Sequence, residues 1–264
     1  MFPLRRILFP VDFSARARGA CVYVEALAGR FDAEITLLHV VEPPTYNTAL
    51  HDQPPVEIAD FDKFFGADLK YLRVDRLIER GEAADKIVEV ASERQVDLIM
   101  MPTQGLGRFR RFILGSSTTK VLHDSDCPVW TGTHLETPVP LEEVHCRKIL
   151  CAVDLKPASV VVLEWARQLA YEYQAELTLA HVAADEESQP KIRELLTELL
   201  SRAKVSARVL VDHGEPPKGV AKLATHTGAD VVVIGRRSDL GTIGRLEATA
   251  YAIIRQSPCP VVSV

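Results

Sequence analysis

The sequence contains two copies of one pattern, and this duplication limits what the chain can fold into. The stretch RRILFPVDFS at 5–14 returns as RKILCAVDLK at 147–156, which is 142 positions later (147 minus 5). AEITLLHVV at 33–41 returns as AELTLAHVA at 175–183 with the same offset. Each copy is therefore expected to adopt the same fold, which must be compatible with both of these diverged sequences.

The two copies differ in length at two places. VDLIMMP at 96–102 matches ADVVVIG at 229–235 with an offset of 133 (229 minus 96), so the first copy carries nine extra residues (142 minus 133). These fall near PPTYNTALHDQPP at 43–55, whose prolines and polar residues indicate a surface loop or lid. SDCPVWT at 125–131 matches SPCPVVS at 257–263 with an offset of 132 (257 minus 125), so the second copy has lost one residue after 235.

Short apolar runs alternate with longer amphipathic stretches in each copy, which is typical of βαβ units and a parallel sheet. Ser14 is the predicted N-cap of the first helix, and Gly81 with Glu82 opens the third. In the second copy, Pro157 marks a helix start and Gly228 a helix end. In the first copy the pattern predicts strands near 5–11, 34–41, 71–79, 96–102 and 127–131, and helices near 14–31, 57–69, 82–94 and 115–124.

We therefore predict an α/β fold of two tandem Rossmann-like domains. Each is expected to be a five-stranded parallel sheet of order 3-2-1-4-5 with helices on both faces. The first domain spans 1–133 and the second spans 147–264. The segment 134–146 matches neither copy and contains two prolines, so it is the predicted linker.

Composition excludes several functional classes. A net charge of −5 argues against nucleic-acid binding, which needs a basic surface. No stretch of about 18 apolar residues or secretory leader occurs, so a membrane association is not expected. The odd number of cysteines and the lack of a CxxC pair indicate neither a disulfide framework nor a zinc site, and we predict a cytoplasmic protein. The five cysteines are Cys21, Cys127, Cys146, Cys151 and Cys259.

The predicted strand order indicates where a ligand would bind. The sheet reverses direction between strands 1 and 4, and ligands of such folds bind outside the carboxyl ends of the strands at that point. One of those ends is followed by QGLGRFRRFILGSSTTK at 104–120, which leads into a predicted helix. Backbone N–H groups of a glycine loop and of a helix N-terminus both attract anions, so a phosphate is expected there. The sequence has neither a GxxxxGK[ST] loop nor a GxGxxG after strand 1.

These features together resemble the universal stress protein family, with two family domains in tandem. The resemblance rests on the duplicated pattern, on PVD after strand 1, on LLHV in strand 2 and on a G-x2-G-x9-G-[ST] segment ahead of CPV. It covers nearly all of both copies. It implies a Rossmann-like fold and, in one branch of the family, a bound ATP with a divalent metal, magnesium or manganese, on the phosphates.

The resemblance also implies roles for residues of the first copy. Asp12 would contact the ribose or adenine, and Val40 would offer its backbone to the base. Gly105 and Gly115 would let the phosphates approach, and the hydroxyl residues after Gly115 would donate to them. The full predicted nucleotide site is Pro10, Val11, Asp12, Val40, Met101, Pro102, Gly105, Arg108, Gly115, Ser116, Ser117 and Thr118.

Both copies depart from the family pattern. Pro102 stands at the first glycine of the segment and has no N–H. It weakens binding if that position donates to the ligand, and it is harmless if the position only turns the chain. In the second copy Ser238 replaces the second glycine, and Glu247 or Ala248 replaces the third. We expect that the second copy does not bind ATP, and binding of a different ligand there is the alternative.

Several candidates also have a structural interpretation. His39 is matched by His181 in the second copy, and because that copy is not expected to bind nucleotide, His39 is interpreted as structural. Asp12 is matched by Asp154, and both interpretations of Asp12 stay open. Arg108, with its neighbouring arginines, either grips phosphates or belongs to a solvated basic loop.

No nucleophile, base and orienting acid occur in a spacing that indicates catalysis. The predicted function is a stress-response or signalling protein that binds ATP or a related nucleotide in the first domain. Nucleotide occupancy would set the positions of the 43–55 loop and of the Arg108 segment, and so determine which protein partner docks. A slow ATPase or phosphotransfer enzyme and a nucleotide-free scaffold are the alternatives.

The resemblance further implies how the copies associate. Single-domain members of the family pair through their last strands, so two linked copies would form an intramolecular pseudo-dimer. The candidate edges are PVWTGT at 128–133 and PVVSV at 260–264, because exposed apolar edges need cover. Association of two tandem chains into a homodimer is a further alternative.

Overall fold

The chain divides into two compact units whose limits differ from those of the two sequence copies. One unit holds the described part of 4–128 together with 139–144, and the other holds Val129–Gly132 together with the described part of 145–264. The fifth strand of the first copy therefore belongs to the unit of the second. This computed structural model describes residues 4–43, 55–66, 68–102, 114–132, 139–236 and 248–264.

The alternation of strands and helices predicted from the periodicity is confirmed. In the first unit the elements are β1 (Arg6–Pro10), α1 (Ala15–Phe31), β2 (Glu34–Val41), α2 (Ile58–Phe65), β3 (Arg73–Arg80), α3 (Ala83–Glu93), β4 (Leu98–Pro102), α4 (Ser116–Asp124) and a 3-10 turn (Leu141–Glu143). In the second they are β5 (Val129–Gly132), β6 (Lys148–Ala152), α5 (Ser159–Tyr173), β7 (Glu176–Ala183), α6 (Gln189–Ala203), β8 (Arg208–His213), α7 (Pro216–Thr227), β9 (Val231–Ile234), α8 (Ala248–Gln256) and β10 (Val261–Ser263).

Local signals define where the helices begin and end. The Ser14 hydroxyl accepts from the Ala17 N–H and caps α1, as predicted. Gly228 ends α7 in the left-handed conformation, with φ of 62°, which glycine adopts without strain. The helix predicted for 57–69 stops earlier, at Phe65, because Gly66 has a φ of 61° and turns the chain out of the helix.

The predicted strand order is confirmed, but the described part of the first unit holds four of the five strands predicted for its copy, because β5 belongs to the other unit. The first unit has the order β3-β2-β1-β4, with the neighbouring strands parallel. The second has β8-β7-β6-β9-β10, which is the predicted 3-2-1-4-5 order, and β5 adds to it next to β10.

Strand β5 pairs with β10 in antiparallel orientation, which confirms the pairing predicted for the two apolar edges. Val261 lies opposite Thr131, and Val262 lies opposite Trp130. The Thr131 hydroxyl donates to the carbonyl of Val261 at 3.1 Å, and the Ser263 hydroxyl donates to that of Val129 at 3.2 Å. These contacts explain why β5 belongs to the compact unit of the second copy.

The central strands are buried on both faces. Ile7, Leu8 and Phe9 of β1 are consecutive, so they point alternately to the two faces of the sheet, and all three are fully buried. Helices therefore cover both faces, as predicted. None of the helices in the described ranges is long and apolar enough to cross a membrane.

A carboxylate holds the start of the first strand in each copy. Asp97, just before β4, accepts from the backbone N–H groups of Arg5 and Arg6 through one oxygen, at 2.8 and 2.9 Å. Asp230, before β9, accepts in the same way from Arg147 and Lys148, at 2.7 and 2.9 Å. Each aspartate thus fixes the first strand of its copy against the fourth.

We predict that Asp97→Ala and Asp230→Ala each lower the free energy of unfolding by about 1.5–3 kcal/mol, the usual contribution of hydrogen bonds to a charged group. Asp→Asn at the same positions keeps an acceptor oxygen and should therefore lower the free energy of unfolding by a smaller amount. Urea unfolding followed by circular dichroism measures both. Glu198→Ala, at an exposed position of α6, is the control and changes stability little. Equal stability of Asp230→Ala and Glu198→Ala would contradict this role.

Candidate functional site

The carboxyl ends of β1, β2 and β4 meet at one edge of the first unit. β1 pairs with both neighbours: Pro10 lies opposite Leu38 of β2, and Leu8 lies opposite Ile99 of β4. The same parallel register carries the chain on to the predicted site residues, which follow these pairs by two or three positions. Continued beyond the paired residues, this register would bring Asp12 level with Val40, and Pro10 and Val11 level with Met101 and Pro102.

The end of β1 is held by β2 through both backbone groups of Val11. The N–H of Val11 donates to the carbonyl of Leu38 at 2.7 Å, and its carbonyl accepts from Nδ1 of His39 at 2.8 Å. In the second copy Nδ1 of His181 donates to the carbonyl of Val153 at 2.7 Å. His39 is structural, as expected, because its bond recurs at the matched position.

Asp12 begins a tight turn between β1 and α1. Its Oδ1 accepts from the backbone N–H of Ser14 at 3.0 Å, and Phe13 between them has a φ of 55°. The residue is exposed, so the second carboxylate oxygen lies in reach of a ligand at the strand ends. Asp154 makes the same turn, with its Oδ1 accepting from the N–H of Lys156 at 3.0 Å.

The start of α4 presents backbone donors beside these strand ends. Gly115 is the N-cap and has no side chain that could accept from the first N–H groups of the helix. Ser116 is exposed and Ser117 is half-buried. Free N–H groups and the positive end of the helix dipole attract an anion at this place.

Thr118 joins α4 to the end of β4. The residue is buried, and its hydroxyl donates to the carbonyl of Pro102 at 3.3 Å. The hydroxyl hydrogen is therefore used within the protein, and in this geometry Thr118 positions the helix rather than donating to a ligand. Pro102 ends β4, as the turn interpretation of this proline expects.

Two residues of the predicted site, Gly105 and Arg108, lie outside the described residues. So do most of the 43–55 loop and the other two arginines near Arg108. The described part of the chain thus brings together the strand-end residues and the start of α4.

Sequence reasoning missed an aromatic cluster next to this site. The Phe13 ring lies 4.9 Å from that of His39 and 5.3 Å from the rings of both Phe61 and Phe64 on α2. The guanidinium of Arg18 lies 4.5 Å from the Phe64 ring. The matched residue in the second copy is Leu155, so this difference between the copies is the signal that could have revealed the cluster.

The matched edge of the second unit contains a cavity of about 230 Å³. It is lined by Val153, Asp154, Val182 and Gly235, which correspond to Val11, Asp12, Val40 and Pro102 of the first copy. The duplication thus places a cavity at the second copy's counterpart of the candidate site.

Burial raises the pKa of four of the five cysteines and keeps their thiols neutral. Desolvation raises the pKa of Cys146 to about 12 and that of Cys259 to about 11. It also raises the pKa of Cys21 and Cys151 well above the usual range. A cysteine reacts as its thiolate, so none of these four is a nucleophile at neutral pH. Among the described residues, no group of three or more His, Cys, Asp or Glu side chains could hold a metal ion.

In comparisons with known proteins, the profile of a single protein family matches both copies of the sequence. The sequence profile of the universal stress protein family matches residues 3–131 and again residues 145–264. A universal stress protein of Thermus aquaticus is 31% identical over 133 residues, which is 47% of this chain and 96% of the relative. One of Synechocystis sp. is 34% identical over 130 residues, covering 47% of this chain and 83% of the relative.

A solved structure matches the fold over nearly the whole chain. The crystal structure of a universal stress protein from Archaeoglobus fulgidus covers 99% of this chain and 98% of its own, with a TM-score of 0.75 and 21% sequence identity. At this identity the likeness shows the fold alone.

We predict that the buried thiols resist alkylation in the folded protein. Iodoacetamide at about pH 8 should leave Cys21, Cys146 and Cys151 unmodified, because their thiolate forms are not populated near that pH. In denaturant all five cysteines should react. Mass spectrometry of proteolytic peptides measures this. Rapid modification of Cys151 in the native protein would contradict it.

Proposed function

Because this chain belongs to the universal stress protein family, with two family domains in tandem, we propose that its first half binds ATP or a related nucleotide. The site is the edge where β1, β2 and β4 end and α4 begins. The protein then acts as a stress-response or signalling protein rather than as a fast enzyme. The observation that carries this proposal is the start of α4, whose N-cap Gly115 has no side chain to bond the first N–H groups, at the sheet edge that also carries the exposed carboxylate of Asp12.

The phosphates are assigned to the start of α4. The N–H groups of Ser116 and Ser117 and the dipole of a nine-residue helix favour negative charge there. Thr118 holds this helix against Pro102, so the donors stay fixed at the strand ends. A magnesium or manganese ion would bind through the phosphates of the nucleotide.

The nucleoside is assigned to the ends of β1 and β2. One oxygen of Asp12 is held by the N–H of Ser14, so the carboxylate is oriented before a ligand arrives. Its other oxygen would accept from a ribose hydroxyl. The backbone of Val40, level with Asp12 on the neighbouring strand, would meet the base.

The aromatic cluster offers a route from the site to a protein partner. Phe13 directly follows Asp12 and contacts Phe61 and Phe64 of α2. A change in the conformation of the turn at Asp12 would therefore shift α2, which follows the 43–55 loop in the sequence. We propose that occupancy of the site controls docking of a protein partner in the cytoplasm through this contact.

Chromatography of the nucleotide released by heat denaturation tests occupancy first. We expect about one nucleotide per chain, because the second copy lacks the family's glycines at 238 and at its helix start. Titration calorimetry of the stripped protein with ATP and magnesium then gives the affinity. If nothing is released and the titration gives no heat, the chain is a nucleotide-free scaffold and the proposal fails.

Matched variants of the two copies test which half binds. Asp12→Asn keeps the acceptor for the Ser14 N–H but removes the charge, and it should weaken ATP binding by about tenfold to a hundredfold, the value of a charge-assisted hydrogen bond. Asp154→Asn is the control at the matched position and should leave the affinity unchanged. Loss of affinity in Asp154→Asn instead would move the site to the second half.

Gly115→Trp tests the assignment of the phosphates. An indole at the N-cap of α4 would cover the donors of Ser116 and Ser117, so ATP binding should fall below detection. Circular dichroism and thermal unfolding establish that the variant folds. A folded variant that binds ATP as tightly as the parent would overturn the assignment.

A further inference from the structure

The cavity of the second half is lined mainly by aliphatic side chains. Val153 and Val182 lie at the ends of the strands, and Val220, Ala250 and Ile253 come from helices α7 and α8. These five residues are buried, so the walls offer dispersion contacts and few hydrogen bonds. The cavity is thus suited to apolar atoms of a ligand.

At two positions the second copy has a smaller residue than the first copy, and these two differences account for the volume of the cavity. Helices α4 and α8 match residue by residue with an offset of 132 (248 minus 116), so Ala250 stands where the first copy has Thr118. Gly235 stands where the first copy has Pro102 (235 minus 133). In the first copy these two residues are bonded to each other, through the Thr118 hydroxyl and the Pro102 carbonyl. In the second copy neither side chain is present, and both Ala250 and Gly235 line the cavity.

A glycine on α7 shapes another wall. A Cβ on Gly219 would lie 2.6 Å from Cγ2 of Val182, so only glycine allows this approach of the helix to the strand end. The matched residue of the first copy is Lys86 (219 minus 133), whose side chain would not fit such an approach. Val182 corresponds to Val40, the residue assigned to the nucleotide base, so the second copy places α7 close to the strand at this position.

Asp154 at this cavity is hydrogen-bonded and ion-paired to its own neighbours. Oδ1 of Asp154 accepts from the hydroxyl of the buried Ser159 and from the N–H of Lys156, both at 3.0 Å. The ammonium of Lys156 lies 3.7 Å from the other oxygen of Asp154. The charge of Asp154 is thus compensated by Lys156 at the polar end of the cavity, so an uncharged ligand needs no counter-charge there.

We propose that the second half binds a small, uncharged, mainly apolar ring compound in this cavity. A dry apolar cavity of about 150 Å³ is known to accept benzene, and a volume of about 230 Å³ has room for a bicyclic ring. The site is separate from that of the proposed nucleotide, so the two proposals fail or succeed independently.

Titration of the full-length protein with indole, followed by nuclear magnetic resonance of the backbone amides, tests the proposal. We expect saturable shifts at the ends of β6, β7 and β9, with a Kd of about 0.1–1 mM, as is usual for nine or so heavy atoms. No saturation up to about 5 mM indole would overturn the proposal.

Ala250→Leu fills the cavity and should weaken indole binding by at least about tenfold. Ala248→Leu makes the same change at an exposed position of the same helix and should leave indole binding unchanged. If Ala250→Leu does not fold, Ala250→Thr restores the side chain of the first copy and should also weaken binding. Unchanged affinity in a folded Ala250 variant would overturn the proposal.

Competition with ATP and magnesium distinguishes the two ligand classes. Indole shifts that persist when ATP is added support a separate site for an uncharged ring. Displacement of indole by ATP that persists in Gly115→Trp, in which the proposed nucleotide site of the first half is blocked, would mean that the second half is itself a nucleotide site, and the proposal would be wrong.

Discussion

In each copy, two hydrogen-bonded contacts fix the first strand of the sheet at its two ends. A carboxylate, Asp97 or Asp230, accepts from consecutive N–H groups at the start of the strand. A histidine, His39 or His181, donates to a carbonyl just after its end. The remaining strands pair outward from this fixed strand, and the turn that carries Asp12 or Asp154 follows it directly. The geometry of both candidate sites depends on these contacts.

On this shared backbone the two copies differ through a few side chains. A threonine bonded to the end of β4 and aromatic rings beside the Asp12 turn distinguish the first copy. The second has alanine and glycine at the first pair of positions and Leu155 at the place of Phe13. Duplication followed by such changes can give one chain two ligand sites with different chemistry, because the strand ends keep their place while the side chains around them change.

The sequence was sufficient for the fold because its strongest signals are periodic and occur twice. Strand positions and their order follow from apolar spacing and from the comparison of the copies. The geometry of the candidate site, in contrast, depends on contacts that the sequence does not indicate. The bond from Thr118 to Pro102 joins residues sixteen positions apart, and nothing in a helix-start pattern indicates that this hydroxyl points inward. Likewise, Phe61 and Phe64 have the spacing of an ordinary helix core. The cavity arises where the small residues Ala250 and Gly235 replace Thr118 and Pro102, and only the folded structure brings these two positions together.

The pairing of β5 with β10 has a consequence for the order of synthesis. β5 leaves the ribosome with the first copy, whereas β10 is made only at the end of the second copy. The sheet of the second unit therefore cannot be completed until the second copy has been made, and β5 stays unpaired with β10 while the intervening residues are translated. A gene fragment that encodes the second copy alone would yield a protein with the apolar edge of Val261 and Val262 uncovered, prone to pair with other chains.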